Sequence, residues 1–402
     1  MVIIQINKYY FPWRGAEVVM FELSKLLAEH GHHVVPFAMR HPSNVPTPYA
    51  HAFVSEVQTE KVSFGYQGLR TAARMFYSFE ARKKLSGLVK TTKPDIAHLH
   101  NIYHQLSPSV LDALRVRRVP TVMTVHDYAL IAPNYTLFDH GAICERGLKN
   151  SWDIVKHRCV KNSTAASILT ASAFAFAKAF HFYERGIDHF IAPSVFMKEM
   201  LVSHGFLEKK ITVIPHFIDV RGSVPSWEGE YVGYMGQLYA EKGVDVLVRA
   251  AARVPDIPVK IAGSGPDEAR LRALADALGA RNVEFVGRLG GVARDRFYRH
   301  ALMLVVPSVF YEIFGRIVLE AYAFGKPVIA SHLGALPEVV YDAKTGYLFK
   351  AGDDGELAER IKALVNDPEK RREFGARGRL YAETEYAPER HYERIMEIYR
   401  GV

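Results

Sequence analysis

At 402 residues the chain is too long for one ordinary domain, and two units of roughly 200 residues each are the natural expectation. Hydrophobic residues at 49% and charged residues at 23% are the proportions of a soluble globular protein. A net charge of +8 favours an anionic partner, either phosphate-bearing substrates or an anionic membrane. No RRM-like, zinc-finger or basic-tail signature accompanies it, so nucleic acid is the weakest of the candidates.

The opening M-V-I-I-Q-I-N-K-Y-Y reads as a short strand that meets Lys8 at once, without the h-region or cleavage site of a signal peptide. No stretch reaches the ~20 apolar residues of a membrane span, and Lys178 breaks the nearest one, Ala165 to Phe180. A cytoplasmic chain is expected. Cys144 and Cys159 are the only cysteines and show no C-x-x-C pairing, so free thiols are expected rather than a disulfide or a zinc site.

In chain order, strand 2–7 leads through Tyr10-Phe11-Pro12-Trp13-Arg14-Gly15 into helix 17–30, and strand 33–39 follows. A loop between strand and helix at the front of a parallel sheet is a usual ligand position. Residues 41–66 are Pro-rich and irregular. A helix over 68–90 carries an apolar stripe (Leu69, Ala72, Phe76, Phe79) beside Arg70, Arg74, Arg82, Lys83 and Lys84. That composition permits either a core-packed helix with a solvated face or an interfacial helix on anionic lipid.

Strand 95–100 sets His98 and His100 on one face, because side chains alternate. They suggest a metal pair only weakly, since no third ligand is evident. Strand 121–126 ends at His126, where a ligand-facing residue of an α/β sheet belongs. Residues 130–163 read as loop, followed by helix 164–185, strand 189–193, helix 195–204 and strand 211–215. Gly222, Pro225 and Gly229 mark 219–229 as the linker.

The second half repeats the βα alternation. Strand 231–236 runs into the turn Q-L-Y-A-E-K-G with Lys242, and strand 259–262 runs into G-S-G-P (Gly263 to Pro266). Strand 283–286 ends at Gly287-Arg288. Strand 302–306 leads to the loop of Glu312, and Phe314-Gly315 opens a helix carrying Glu320. Gly315 permits a tight turn with close backbone approach, and the helix N-terminus beyond it favours an anionic or oxygen-rich ligand. Taken alone, this stretch fits a clamp on an elongated hydroxyl-rich molecule or a βα unit with two solvated glutamates. Helices 355–366, 369–386 and 388–400 close the chain.

Taken together, T-V-H-D at 124–127, G-Q-L-Y-A-E-K-G at 236–243, A-G-S-G-P at 262–266, P-S at 307–308 and E-I-F-G-R-I-V-L-E-A at 312–321 resemble family 4 of the retaining glycosyltransferases. The resemblance implies an α/β chain of the GT-B fold, with two facing Rossmann-like, doubly wound domains. It implies an acceptor-binding domain at 1–218, the linker, a nucleotide-sugar-binding domain at 230–386, and a terminal helix at 387–402 crossing back to the first domain. Glu320 matches the ribose ligand. Glu312 matches the residue that touches the donor sugar, with backbone N–H groups of Phe314, Gly315 and Arg316 beside it.

Lys242 matches the diphosphate ligand, Gly15 the N-terminal loop approaching it, and His126 the histidine near the reacting sugar face; Arg288 lies where the chain passes the nucleobase. Gly263 and Gly265 shape the nucleotide-facing turn. Catalytic weight falls on His126, Glu312 and Lys242. No D-x-D triplet occurs, so the implied reaction needs no metal and no cofactor beyond the UDP-, GDP- or ADP-hexose itself.

Two departures stand out. Gln237 occupies the place of a usual arginine, for which Arg14 could compensate, and Pro215-His216-Phe217 replaces proline-asparagine-glycine. The expected activity is hexose transfer to a glycan or lipid-linked saccharide; docking on an anionic membrane through helix 68–90 is a separate hypothesis, behind a core-packed helix with a solvated face. The alternatives are a nucleotide-sugar epimerase or hydrolase on the same fold, or a non-catalytic binding module.

Overall fold

The computed structural model describes residues 1–57 and 66–402. Two all-parallel, six-stranded sheets organise it. The first contains β1 (Val2–Ile6), β2 (His33–Phe37), β3 (Ile96–Leu99), β4 (Thr121–Thr124), β5 (His189–Ala192) and β6 (Ile211–Val213). Its spatial order is β2-β1-β3-β4-β5-β6. The second contains β7 (Tyr231–Met235), β8 (Val259–Ala262), β9 (Val283–Gly287), β10 (Ala301–Val306), β11 (Val328–Ser331) and β12 (Gly346–Phe349), in the order β9-β8-β7-β10-β11-β12.

These are doubly wound orders, and each reverses direction once. The reversals fall between β1 and β3 and between β7 and β10, and a crevice opens at the carboxyl ends of such strands. The loops after β1, β4, β7, β8 and β10 therefore converge on one region. They are the loops that carry the motifs.

The strands form because their runs are apolar on both faces: Ile3, Ile4 and Ile6 of β1, and Val328, Ile329 and Ala330 of β11, are fully buried. Helices cover them with one stripe each. Helix Gly15–Glu29 buries Val19, Met20, Leu23, Leu26 and Leu27, a three-and-four spacing. The terminal helix Pro388–Gly401 crosses to the first sheet, packing Ile395, Met396, Ile398 and Tyr399 with Ile3, Leu23, Leu27, Ile96 and Val122. Each fully buried aliphatic side chain contributes roughly 1.5–3 kcal/mol, so this seam ties the chain's end to its beginning.

Three local expectations are corrected. The helix expected over 68–90 is two helices, Tyr66–Phe76 and Phe79–Thr92. Ser78 causes the break: its hydroxyl caps the second helix by accepting from Ala81 N, and its own N–H donates to Ser107 Oγ at 2.8 Å. The second helix buries Ala81, Leu85, Leu88 and Val89, while Phe79 is 74% exposed. The side chains of Leu69 and Arg70 lie outside the described residues.

The helix expected over 164–185 ends at Ala179 and restarts at Phe182, because His181 takes a left-handed φ of 52°. The stretch 130–163, expected as loop, holds a hairpin (Phe138–Asp139 with Ala142–Ile143) and short helices Arg146–Lys149 and Asp153–Lys156.

Candidate active site

On the C-terminal side the crevice is a cleft of about 390 Å³ lined by Trp13, Gly236, Gln237, Tyr239, Gly263 and Arg288, among others. Its floor is set by backbone against backbone. A Cβ on Gly263 would lie 1.8 Å from the Gly236 carbonyl oxygen, and Gly263 has φ +151°. Leu238 N donates to Ser264 O at 3.0 Å, so the turns after β7 and β8 are zipped together. Only glycine permits that approach. Gln237 and Gly263 thus line one wall, as expected, and Gly265 lies against Leu238 O beneath it.

Lys242 sits in a single 3-10 turn after β7, and Gly243 (φ +63°) then starts helix Val244–Ala252. Its ammonium pairs with Glu312 Oε1 at 2.8 Å and stands 4.5 Å from the Phe310 ring centroid. Ser308 Oγ donates to the same carboxylate oxygen at 2.7 Å. Gly315 (φ +87°) is the N-cap of helix Arg316–Ala323, with no side chain capping it, so the helix's positive end is open to a ligand. Phe314 itself is buried, its ring edge against His216 and Tyr386.

One turn into that helix, Glu320 accepts from Tyr298 OH at 2.7 Å and from Arg316 Nε at 3.3 Å. The Arg316 side chain reaches past it to a bidentate pair with Glu22 on the helix after β1. Sequence reading placed only the Arg316 backbone at the site; its guanidinium is an interdomain tie. Opposite, Gly15 is the first residue of its helix, and Arg14 extends across the crevice to Tyr239 OH at 3.0 Å, next to Gln237. Arg288 stands 5.9 Å from the centroid of Trp13, which is 43% exposed.

The N-terminal wall is built from imidazoles. His98 and His100 stack at 4.7 Å and 8°, on one face as expected. They do not form a metal pair: His98 bonds Tyr399 OH (2.6 Å) and Thr124 Oγ1 (2.7 Å). His100 bonds Gln5 Oε1 at 2.7 Å through Nε2 and His126 Nε2 at 2.8 Å through Nδ1. With the Gln5 amide turned so that Oε1 faces it, His100 Nε2 carries the proton and His100 Nδ1 is a lone pair. His126 must then donate from Nε2, leaving its Nδ1 as an acceptor.

The relay needs neutral rings, and burial lowers His98 and His126 to about 3 and His100 well below the ordinary value. His216, in the substituted proline-histidine-phenylalanine, stacks on His126 at 5.8 Å and is likewise lowered by burial. Asp127 is raised to about 6 by burial, against the opposing Ala129 backbone bond and Lys8.

Two family models match this chain. One, described as glycosyltransferase family 4, covers residues 13–221, and one described as glycosyl transferases group 1 covers 222–381. The chain belongs to glycosyltransferase family 4. It is a glycosyltransferase of the GT-B fold. A protein of the cps region of Klebsiella pneumoniae is 26% identical over 358 residues, 84% of this chain and 87% of the relative.

Sucrose-phosphate synthase of Thermosynechococcus elongatus superposes with a TM-score of 0.73 at 20% identity, over 100% of this chain and 98% of that one. Anabaena Alr3699/HepE, solved in complex with UDP and glucose, superposes at 0.68 and 18% identity, over 100% and 99%.

Within this transferase, sequence reading missed Trp13, Tyr239, Tyr298, Glu22 and Gln5 as members of the crevice, and took His100 only for half of a weak metal pair. Trp13 and Tyr239 sit beside residues that were singled out, and aromatics just past a strand's carboxyl end are a usable signal. The others act through partners far away in sequence. No local signal marks them.

Proposed function

We propose that this glycosyltransferase moves a hexose from a nucleoside-diphosphate sugar, with retention at the anomeric carbon, to a glycan or lipid-linked saccharide. The observation that carries the reading is the Lys242–Glu312 pair beside a glycine-locked cleft. Without donor, each group neutralises the other. A diphosphate competes for Lys242, and Glu312 is then released toward the sugar hydroxyls. UDP and glucose in the similar Anabaena structure support a nucleotide sugar in this cleft, and the cps-region relative supports polysaccharide assembly.

In the proposed step, the bond between the anomeric carbon and the diphosphate oxygen breaks, and its electron pair leaves on phosphate. Lys242 and the open helix end at Gly315 stabilise that charge, so no metal is required. The acceptor hydroxyl oxygen bonds the oxocarbenium-like carbon on the same face, and its proton passes to the departing phosphate oxygen. The lone pair on His126 Nδ1 accepts a hydroxyl of the sugar. Glu320 holds the ribose, with Arg316 and Tyr298 orienting it.

Lys242→Ala and Glu312→Ala should each lower kcat at least ~100-fold with the melting temperature nearly unchanged. Wild-type turnover in both variants, measured as nucleoside diphosphate released per acceptor glycosylated, would sink the assignment. Product formation without acceptor would instead indicate an epimerase or hydrolase. Exposed Phe79 beside exposed Arg82 and Lys83 supports docking on the cytoplasmic face of an anionic bilayer. Flotation with anionic liposomes at low salt checks it, and a chain left at the bottom of the gradient rejects it. No helix among the described residues is long and apolar enough to cross a membrane.

A further inference from the structure

Outside the crevice, the loop between β4 and helix Thr164–Ala179 brings together the only two cysteines of the chain. Asp139, Cys144 and Cys159 each offer a ligand atom, and these atoms lie within 4.8 Å of one another. We propose that they bind one structural zinc-class divalent cation, with His140 completing the set.

Four observations support it. Cys144 is buried and directly follows the hairpin Phe138–Ile143, whose turn is closed by Cys144 N donating to Leu137 O at 2.8 Å. Cys159 comes from a separate turn, held by its N–H on Ile154 O at 3.0 Å. The site is thus assembled from two backbone-fixed segments and one strand. The Asp139 side chain is 10% exposed; its buried Oδ2 lacks a well-aligned hydrogen bond, with the His140 ring 2.9 Å away, and the Cys159 thiol hydrogen-bonds the same carboxylate. A cation at this cluster would take the place of the Cys159 proton and be coordinated by the carboxylate and both thiolates.

His140 Nδ1 lies 2.9 Å from that same oxygen on an exposed side chain, so a side-chain rotation brings it to a fourth position. The donor types are those of tetrahedral zinc, and Zn–S and Zn–O distances near 2.3 and 2.0 Å imply ligand atoms roughly 3.5–3.8 Å apart. The observed cluster needs only a modest contraction to reach that spacing. Two thiolates and a carboxylate leave one negative charge around a divalent ion. Arg146, whose Nη1 is 3.8 Å from Cys144 Sγ, offsets it.

The loop has reason to need such a staple. It spans more than 30 residues on two tiny strands and two single-turn helices, a length at which loops seldom hold one conformation unaided. It also reaches the crevice: Glu145, next to Cys144, accepts from Tyr311 OH at 3.0 Å, one residue from Glu312. A cation here braces the acceptor-side wall. It takes no part in the transfer step.

The test uses the full chain, purified under reduction, stripped with chelator and titrated with zinc or cobalt(II). Expected are one zinc per chain by elemental analysis, a thiolate-to-cobalt charge-transfer band, and a rise in melting temperature on zinc addition. Cys144→Ser and Cys159→Ser should each weaken zinc binding ~100-fold or more, and Asp139→Asn less. Substoichiometric zinc, a cobalt spectrum without the thiolate band, or a Cys144–Cys159 disulfide found in the protein before reduction would each overturn the proposal. The cobalt spectrum of the unsubstituted chain decides even where a serine variant does not fold.

Discussion

The two walls of the crevice solve the same problem with different materials. The C-terminal wall is backbone and permanent charge: glycine turns in van der Waals contact, a helix end, and the Lys242–Glu312 and Arg316–Glu320 pairs. The N-terminal wall is neutral and polar, a set of stacked imidazoles joined by hydrogen bonds, with His98, His100 and His216 buried and His126 half-buried. A diphosphate, anionic before the step and more so after it, suits the first. A reacting carbon that passes through positive character suits the second, because a neutral ring neither repels it nor takes up a stray proton.

The largest break of this contrast is steric. Gly263→Ala should destabilise by about 3 kcal/mol and abolish donor binding, because its Cβ meets a carbonyl at 1.8 Å with φ in a region alanine avoids. Gly401→Ala, with open space around the new methyl near the end of the terminal helix, should change neither. Thermal melting with and without donor separates the two variants. Equal melting temperatures would mean that the turn is not locked.

A smaller effect should follow from loosening the relay. His100→Gln should lower kcat about tenfold at unchanged donor KM, through the loss of one positioning hydrogen bond. Nitrogen NMR of His126 should change from a single Nε2–H tautomer to a mixture. A single tautomer in the variant would show that His100 does not position the ring.

The smallest is a pH effect on stability. Burial raises Asp127 from 3.8 to about 6, so its ionised form is penalised in the folded state. Its contribution is fully favourable below about pH 4 and is lost as pH rises through 6. Asp127→Asn should therefore raise the melting temperature at pH 8, by the equivalent of on the order of 1 kcal/mol, and change little at pH 4. An equal shift at both pH values would assign the effect to packing instead.

The sequence by itself determined the alternation of strands and helices and the places where the backbone must turn tightly. Gly263, Gly315 and the Glu312–Glu320 spacing were legible because their demands are local: a φ value, a turn, a helix end. It also placed His98 and His100 on one face through simple alternation. What only the tertiary structure decided is pairing. Arg316 with Glu22 and His100 with His126 and Gln5 join residues far apart in sequence, brought together by strand order and domain contact.

Asp139, Cys144 and Cys159 are close in sequence, yet C-x-x-C spacing missed them, because a hairpin and a separate turn, not one loop, bring them together. The break at Ser78 belongs here as well: amphipathic periodicity ran on through it, while a hydrogen bond to Ser107 on another segment ended the helix. Local residue chemistry fixes conformation over a few residues, and only chain topology fixes which distant groups meet.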